Sequence, residues 1–225
     1  MSKGIVVNYW PFDPKYSTGP KPNNTELSHS LSSVELKMIM NGVLQCSDFP
    51  IVAYSDIFNS ESAKEHDFIR RFLGRTNQRA AIFLFRQTAT YGHWMALFEN
   101  SAGDLYVYDS YGDKKPDEYI IGVDGVKNET LNQESPYLLE CFGNSSYDCI
   151  YWNDYPQQKL KADIQTCGKW SAFRILNRDM DVETFAEFVD TICKKYNLTT
   201  DKYVCLAYRF ICRNLDTMQK DLDNM

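Results

Sequence analysis

The stretch Gly92–Gly112, read GHWMALFENSAGDLYVYDSYG, constrains this chain more than any other. An apolar run from His93 to Phe98 leads into the polar segment ENSAGD, and a second run, Leu105–Tyr108, leads back to Asp109. Two β-prone runs joined by a short polar connection containing Gly specify an antiparallel hairpin. RAAIFLF (79–85), just ahead, has the length and apolarity of a third strand. His93 and Asp109 are each eight residues from Ser101, so a symmetrical hairpin sets them face to face. Directly opposed residues bring their Cβ atoms to roughly 4.5–5.5 Å. A carboxylate at that range can hold an imidazole in one tautomer, which is the orienting half of a nucleophilic device. The register matters, because a one-residue slip would send the two side chains to opposite faces.

The segments around the hairpin indicate helices and further strands. Residues 8–32 carry Pro11, Pro14, Pro20 and Pro22 among Ser, Asn and Thr, a composition of loop or extended arm. Ser32 or Ser33 can cap a helix over 33–41 with Val34, Met38 and Ile39 on one side and Gly42 as its stop. PIVAYSDI (50–57) reads as a strand or strand end, 62–74 as a helix, PYLLECF (136–142) as a short helix and YDCIYWN (147–153) as another strand. DVETFAEFVDTICKKY (181–196) is amphipathic, with Val182, Phe185, Val189, Ile192 and Tyr196 on one face and Asp181 as cap, and 202–215 makes a last helix. These elements give an α+β fold, a central, mainly antiparallel sheet flanked by helices. A length of 225 residues fits a single domain over 1–225, with an N-terminal arm and short helix at 1–45 and a core at 46–225.

Composition narrows the function classes. A net charge of −6, from 24 Lys and Arg against 30 Asp and Glu, argues against a general nucleic-acid-binding surface. Without an apolar run approaching about 18–20 residues, no membrane partner is expected. The N-terminus shows no signal-peptide pattern, so secretion is not expected. Seven scattered Cys without a CxxC pair fit a reducing compartment. With only three His, none at ligand spacing from a Cys, neither a metal nor another cofactor is expected.

A nucleophile to complete the His–Asp pair is Cys167. The stripe Trp170, Phe173, Leu176 begins a helix at Cys167, behind the polar segment ADIQT. Helix N-termini present free N–H groups and a favourable dipole, and can pull a thiol well below its free pKa of about 8.5. Gly168 leaves room for a substrate backbone to come close. The chain order His, Asp, Cys differs from papain-type enzymes, whose Cys comes first.

Four fragments, YSD (54–56), GHW (92–94), DSYG with PD after it (109–112 and 116–117) and TCGKW (166–170), occur in order over roughly residues 50–177. Together with a Gln upstream of the Cys they resemble the adenain-like and Ulp-type (SUMO-protease-like) cysteine proteases. The resemblance is strongest to the maturation proteases of large DNA viruses, virophages and Polinton elements. It implies an Ulp/adenain-like, papain-related fold. It assigns His93 as general base and acid, Asp109 as its partner and Cys167 as nucleophile, with Trp94 packed beside the site. It also implies a Gln amide that joins the Cys N–H in an oxyanion hole. Gln158 is the first choice and Gln157 the alternate, each farther from the Cys than the family pattern has it; Gln165 is third. The implied activity is a cysteine endopeptidase cleaving capsid or other virion precursors at Gly-X-Gly or Gly-Gly-like sites, in the virion and in the host cytoplasm or virus factory. An activating peptide or nucleic acid is a further implied partner. Deconjugation of SUMO or ubiquitin-like proteins, and a non-catalytic binding role on the same fold, are the alternatives.

Overall fold

The computed structural model describes residues 12–16, 19–112, 117–118 and 125–223, with the side chains of Tyr16 and of 217–223 left out. Residues 1–11 of the expected arm and Pro116 of the PD pair lie outside the described residues.

Five strands form one sheet in sequence order: β1 (Ile51–Ala53), β2 (Ala80–Arg86), β3 (Gly92–Glu99), β4 (Leu105–Tyr108) and β5 (Ile150–Trp152). The central pairings β2–β3 and β3–β4 are antiparallel, and the edge pairings β1–β2 and β4–β5 are parallel. The sheet is therefore mixed. The antiparallel centre follows from the short connections between its strands, and each parallel edge pairing is reached by a long helical connection. Every residue of β3 is buried, as expected of a strand covered on both faces. One layer packs Trp94, Ala96, Phe98, Tyr106 and Tyr108 under helical residues including Trp170, Phe173, Phe185 and Tyr203. The other packs Phe83, Phe85, Met95, Leu97 and Val107 under Tyr54, Phe58, Phe72 and Leu138. The even and odd positions of β3 and β4 divide between these layers, which is the period-two signature of strands.

The helices are α1 (Asn24–Ser28), α2 (Ser33–Leu44), α3 (Tyr54–Phe58), α4 (Phe68–Gly74), α5 (Gly125–Thr130), α6 (Tyr137–Gly143), α7 (Cys167–Leu176), α8 (Val182–Tyr196) and α9 (Thr200–Asp223). Several boundaries differ from the sequence reading. The strand at 50–57 stops at Ala53, and Tyr54–Phe58 turns helical. The helix at 62–74 divides into a 3₁₀ turn, Glu61–Lys64, and α4, with Asp67 at φ 60° between them. The face of α2 that meets the core is Leu36, Ile39 and Met40, while Val34 and Met38 are 67% and 69% exposed. Gly42 does not stop α2. A Cβ there would come within 2.7 Å of Leu215 Cδ2, so Gly42 gives α9 room to pack, and Gln45, at φ 51°, ends the helix. The arm is more ordered than a loop. An Asn23–Glu26 capping box starts α1, and Leu27 and Leu31 are buried against the main body.

Candidate functional site

The start of β3 and the ends of β2, β4 and β5 lie at the same end of the sheet, because β4 runs antiparallel to β3 and parallel to β5. His93 is the second residue of β3, and Asp109 follows β4 directly. His93 Nε2 and Asp109 Oδ1 are 2.6 Å apart, with both side chains buried. The register that achieves this is not the symmetrical one. Ala96 pairs with Tyr108 and Leu97 with Val107, which sets the next positions two residues along from the symmetrical arrangement. A two-residue shift preserves the face, so His93 and Asp109 remain neighbours, now diagonally. The residue brought to His93 along the same register is Tyr111, whose ring stacks on the imidazole at 4.4 Å and 14°.

Cys167 is the first residue of α7, and its thiol lies within hydrogen-bonding reach of the imidazole. Since Nε2 is turned to Asp109, the other ring nitrogen, Nδ1, is the one left for the thiol. Burial works against charge on both partners. It is outweighed at His93 by the Asp109 carboxylate and the Cys167 thiol, which raise the imidazole's proton affinity. At Cys167 it is outweighed by the His93 bond and charge and by the backbone groups of Trp94 and Gly168, which lower the thiol below its ordinary value. The directions are opposite and complementary: the pair favours thiolate with imidazolium.

The surroundings fix these three groups in place. Asn153, just after β5, accepts from Asp109 N at 2.9 Å and donates to Asp109 O at 2.6 Å. Tyr111 N donates to Asp109 Oδ1 at 2.9 Å. The backbone N–H groups of Gln157 and Gln158 both donate to Ser110 O, at 3.0 and 2.9 Å, docking the PQQ segment beside Asp109. The Ser110 hydroxyl donates to Gln158 Oε1 at 2.8 Å, which turns Gln158 Nε2 toward Ile164 O (3.2 Å) and Tyr111 Oη (3.4 Å). Gln157 points elsewhere, accepting from the buried Tyr108 hydroxyl at 3.3 Å. Gln165 Oε1 accepts from Tyr91 Oη at 2.5 Å, and its amide nitrogen donates to Ala162 O at 3.1 Å.

At the start of α9, the buried Asp201 accepts from the hydroxyl of Thr166, the residue before Cys167, at 2.6 Å and from Lys159 N at 3.1 Å. Burial raises its carboxyl despite those bonds. Trp94 lies under the arm, donating from Nε1 to Leu31 O at 2.9 Å. Gly168 is buried there too: a Cβ would come within 3.2 Å of Trp94 Cδ1 and 3.3 Å of Leu31 Cβ. The close approach that Gly168 permits is therefore one between parts of this chain. Lys169, next along, is buried and donates to Glu26 O (3.1 Å) and His29 O (2.5 Å), and burial lowers its ammonium.

The sequence reading did not single out Ser110, Tyr111, Asn153, Asp201 or Lys169. For Ser110 and Tyr111, adjacency to Asp109 within DSYG was a usable signal. Asn153 and Asp201 carried none, because only the folded chain brings them to residues 44 and 35 positions away. Among the described residues, no group of three or more His, Cys, Asp or Glu could hold a metal, and no helix is long and apolar enough to cross a membrane.

No family model matches the chain. Over 127 residues, 56% of this chain and 71% of the relative, it is 32% identical to uncharacterized protein V9 of Sputnik virophage. The chain belongs to the family of that virophage protein. Among solved structures it resembles the central domain of uncharacterized Lpg1148 protein from Legionella pneumophila. That likeness has a TM-score of 0.38 and 16% identity and covers 84% of this chain and 98% of the other.

Proposed function

We propose that the chain is a cysteine endopeptidase of the adenain-like and Ulp-like kind, acting on viral precursor proteins. The observation that carries this reading is the buried contact between His93 and Asp109 at 2.6 Å, beside a thiol on the first residue of α7 whose proton affinity is lowered. Cys167 Sγ attacks the scissile carbonyl carbon, and the C=O electron pair moves to oxygen. The oxyanion faces the N–H groups of the first turn of α7 and the side of the site held by Gln158. His93, charged in the resting pair, gives its proton to the leaving amine. Neutral after that transfer, it takes a proton from the water that attacks the acyl carbon, and the S–C bond breaks to restore the thiolate and imidazolium. Asp109 keeps the imidazole aligned through both steps.

The membership of a virophage protein in the same family supports a viral setting. The resemblance of GHW, DSYG and TCGKW to maturation proteases points to Gly-X-Gly or Gly-Gly-like cleavage in capsid precursors, within the virion or virus factory. The test is cleavage of a proteome-derived peptide library, with new termini read by mass spectrometry. Cuts following Gly are expected from the wild-type protein and none from Cys167→Ala, which should keep the same melting profile. Activity confined to SUMO or ubiquitin conjugates would favour deconjugation instead. No cleavage at all, with Cys167 alkylated no faster than the other six cysteines at neutral pH, would leave a binding role on this fold.

A further inference from the structure

We infer that Tyr111 is a further catalytic residue: its phenolic hydroxyl, backed by the Gln158 amide, is the side-chain donor that meets the oxyanion. The inference rests on the reading of Cys167 as nucleophile and changes which group completes the site.

The argument begins with the hydrogens of Gln158. A primary amide has two N–H donors. The Ser110 hydroxyl fixes Gln158 Oε1, and the two hydrogens on Nε2 face Ile164 O and Tyr111 Oη. Both are thus committed inside the protein, and the Gln158 side chain is buried. Reaching a substrate directly would require that amide to give up a bond at a site water scarcely enters. Tyr111 is differently placed. It is only partly buried, and its hydroxyl accepts from Gln158 while its own proton finds no acceptor among the described residues. A hydroxyl that accepts a bond becomes a better donor through the other side of the same oxygen.

Position supports the same assignment. The ring of Tyr111 lies flat on His93, and its backbone N–H holds Asp109 Oδ1, the oxygen that also holds His93. The residues that set the base therefore also set the phenol. Burial first, and then a negative charge on Cys167, raise the phenol's proton affinity. The same shift keeps the phenol protonated, so it donates a hydrogen bond throughout and transfers no proton. In the acylation step the S–C bond forms, the carbonyl π pair moves to oxygen, and Tyr111 O–H and the Cys167 N–H share that charge.

Two small probes separate a donor to the oxyanion from a residue that merely supports the fold. Iodoacetamide alkylates the thiolate by direct displacement and forms no oxyanion. p-Nitrophenyl acetate acylates it through a tetrahedral oxyanion. Tyr111→Phe keeps the ring on His93 and removes only the hydroxyl. Alkylation of Cys167 should stay within about twofold of wild type, whereas acylation should slow by about 10²-fold, the lower end for losing one oxyanion donor. Gln158→Ala should slow acylation less, because the phenol remains. Unchanged acylation in Tyr111→Phe would overturn the inference. So would equal slowing of both reactions, which would mark Tyr111 as a support for His93, and so would a Gln158→Ala defect larger than that of Tyr111→Phe. If wild-type Cys167 reacts with iodoacetamide no faster than the other cysteines, the reading of the nucleophile itself fails. That result is seen before any variant is compared.

Discussion

Replacing Asp109 with Asn removes one charge from the His93 pair and leaves the shape nearly unchanged. Asn still offers an oxygen to His93 Nε2, now 2.6 Å from Asp109 Oδ1, and to Tyr111 N, now at 2.9 Å from the same atom. The loss is the difference between a hydrogen bond to a charged group, about 1.5–3 kcal/mol, and a neutral one, about 1 kcal/mol. A difference of about 0.5–2 kcal/mol brackets the ~1.36 kcal/mol of one pKa unit of the imidazole. Burial opposes the charge on His93, but the Asp109 carboxylate and the Cys167 thiol together lift its pKa from 6.5 to about 10. Asp109→Asn should therefore bring the midpoint down to about 9. NMR titration of isotope-labelled imidazole reads this directly, since the chain has only three His. In the proposed mechanism the leaving amine needs the imidazolium proton, so the upper limb of peptide hydrolysis should move with it. The sign also fixes a stability signature. A histidine raised in the fold contributes stability that is present in full below the unfolded value of 6.5 and is lost as pH rises through about 10. The stability gap between wild type and variant should thus be widest at pH 6 and below and close at high pH. A His93 midpoint that moves by less than about 0.3 unit on substitution would refute the electrostatic argument, being well under the unit expected.

Two other substitutions test the frame around the site. Gly92→Ala would place a Cβ 2.1 Å from Phe85 O and 2.8 Å from Arg86 Cα. Backbone cannot swing aside as a side chain can, so urea unfolding should show a loss of about 3 kcal/mol, the upper end for overpacking, and a loss below about 1 kcal/mol would contradict the contact. Asp117 is hydrogen-bonded by the Tyr54 hydroxyl at 2.6 Å and by Leu139 N at 2.8 Å, yet burial raises its carboxyl from 3.8 to about 6. The folded state then holds more protons than the unfolded one over that interval, so wild-type stability should fall as pH rises from about 4 to about 6, by at most about 3 kcal/mol. Asp117→Asn should flatten that slope in thermal melts, and an identical slope in the variant would disprove the assignment.

Most of the strand content could be read locally, because alternation and apolar runs report burial directly. β4 starts and stops where its apolar run does, and β2 and β3 lie within a residue or so of theirs. Helix α8 likewise followed from one amphipathic stripe and one Asp cap, whose side chain accepts from Thr184 N. What could not be read locally was phase and partnership. Helix α2 has two plausible apolar stripes. The one that won, Leu36, Ile39 and Met40, was selected by what lay beneath it. The β4–β5 pairing is parallel because the intervening chain returns to the same end of the sheet, which no local pattern records.

For the site, the chain alone determined the chemistry available: an imidazole at a strand start, a carboxylate at a strand end, and a thiol at the first position of a helix. Those are local facts, set by hydrophobic period and helix start signals. Only the tertiary structure decided how they meet. The hairpin register is shifted by two residues from symmetry, which keeps His93 and Asp109 on one face and delivers Tyr111 to the imidazole. The packing of α7 against the sheet brings Cys167 to the same place, with the Trp94 carbonyl accepting from Ser171 Oγ at 3.2 Å. Asn153 and Asp201 were invisible beforehand for one physical reason. A hydrogen bond to a buried polar group is worth forming wherever the fold happens to supply a partner, and sequence distance does not enter that energy.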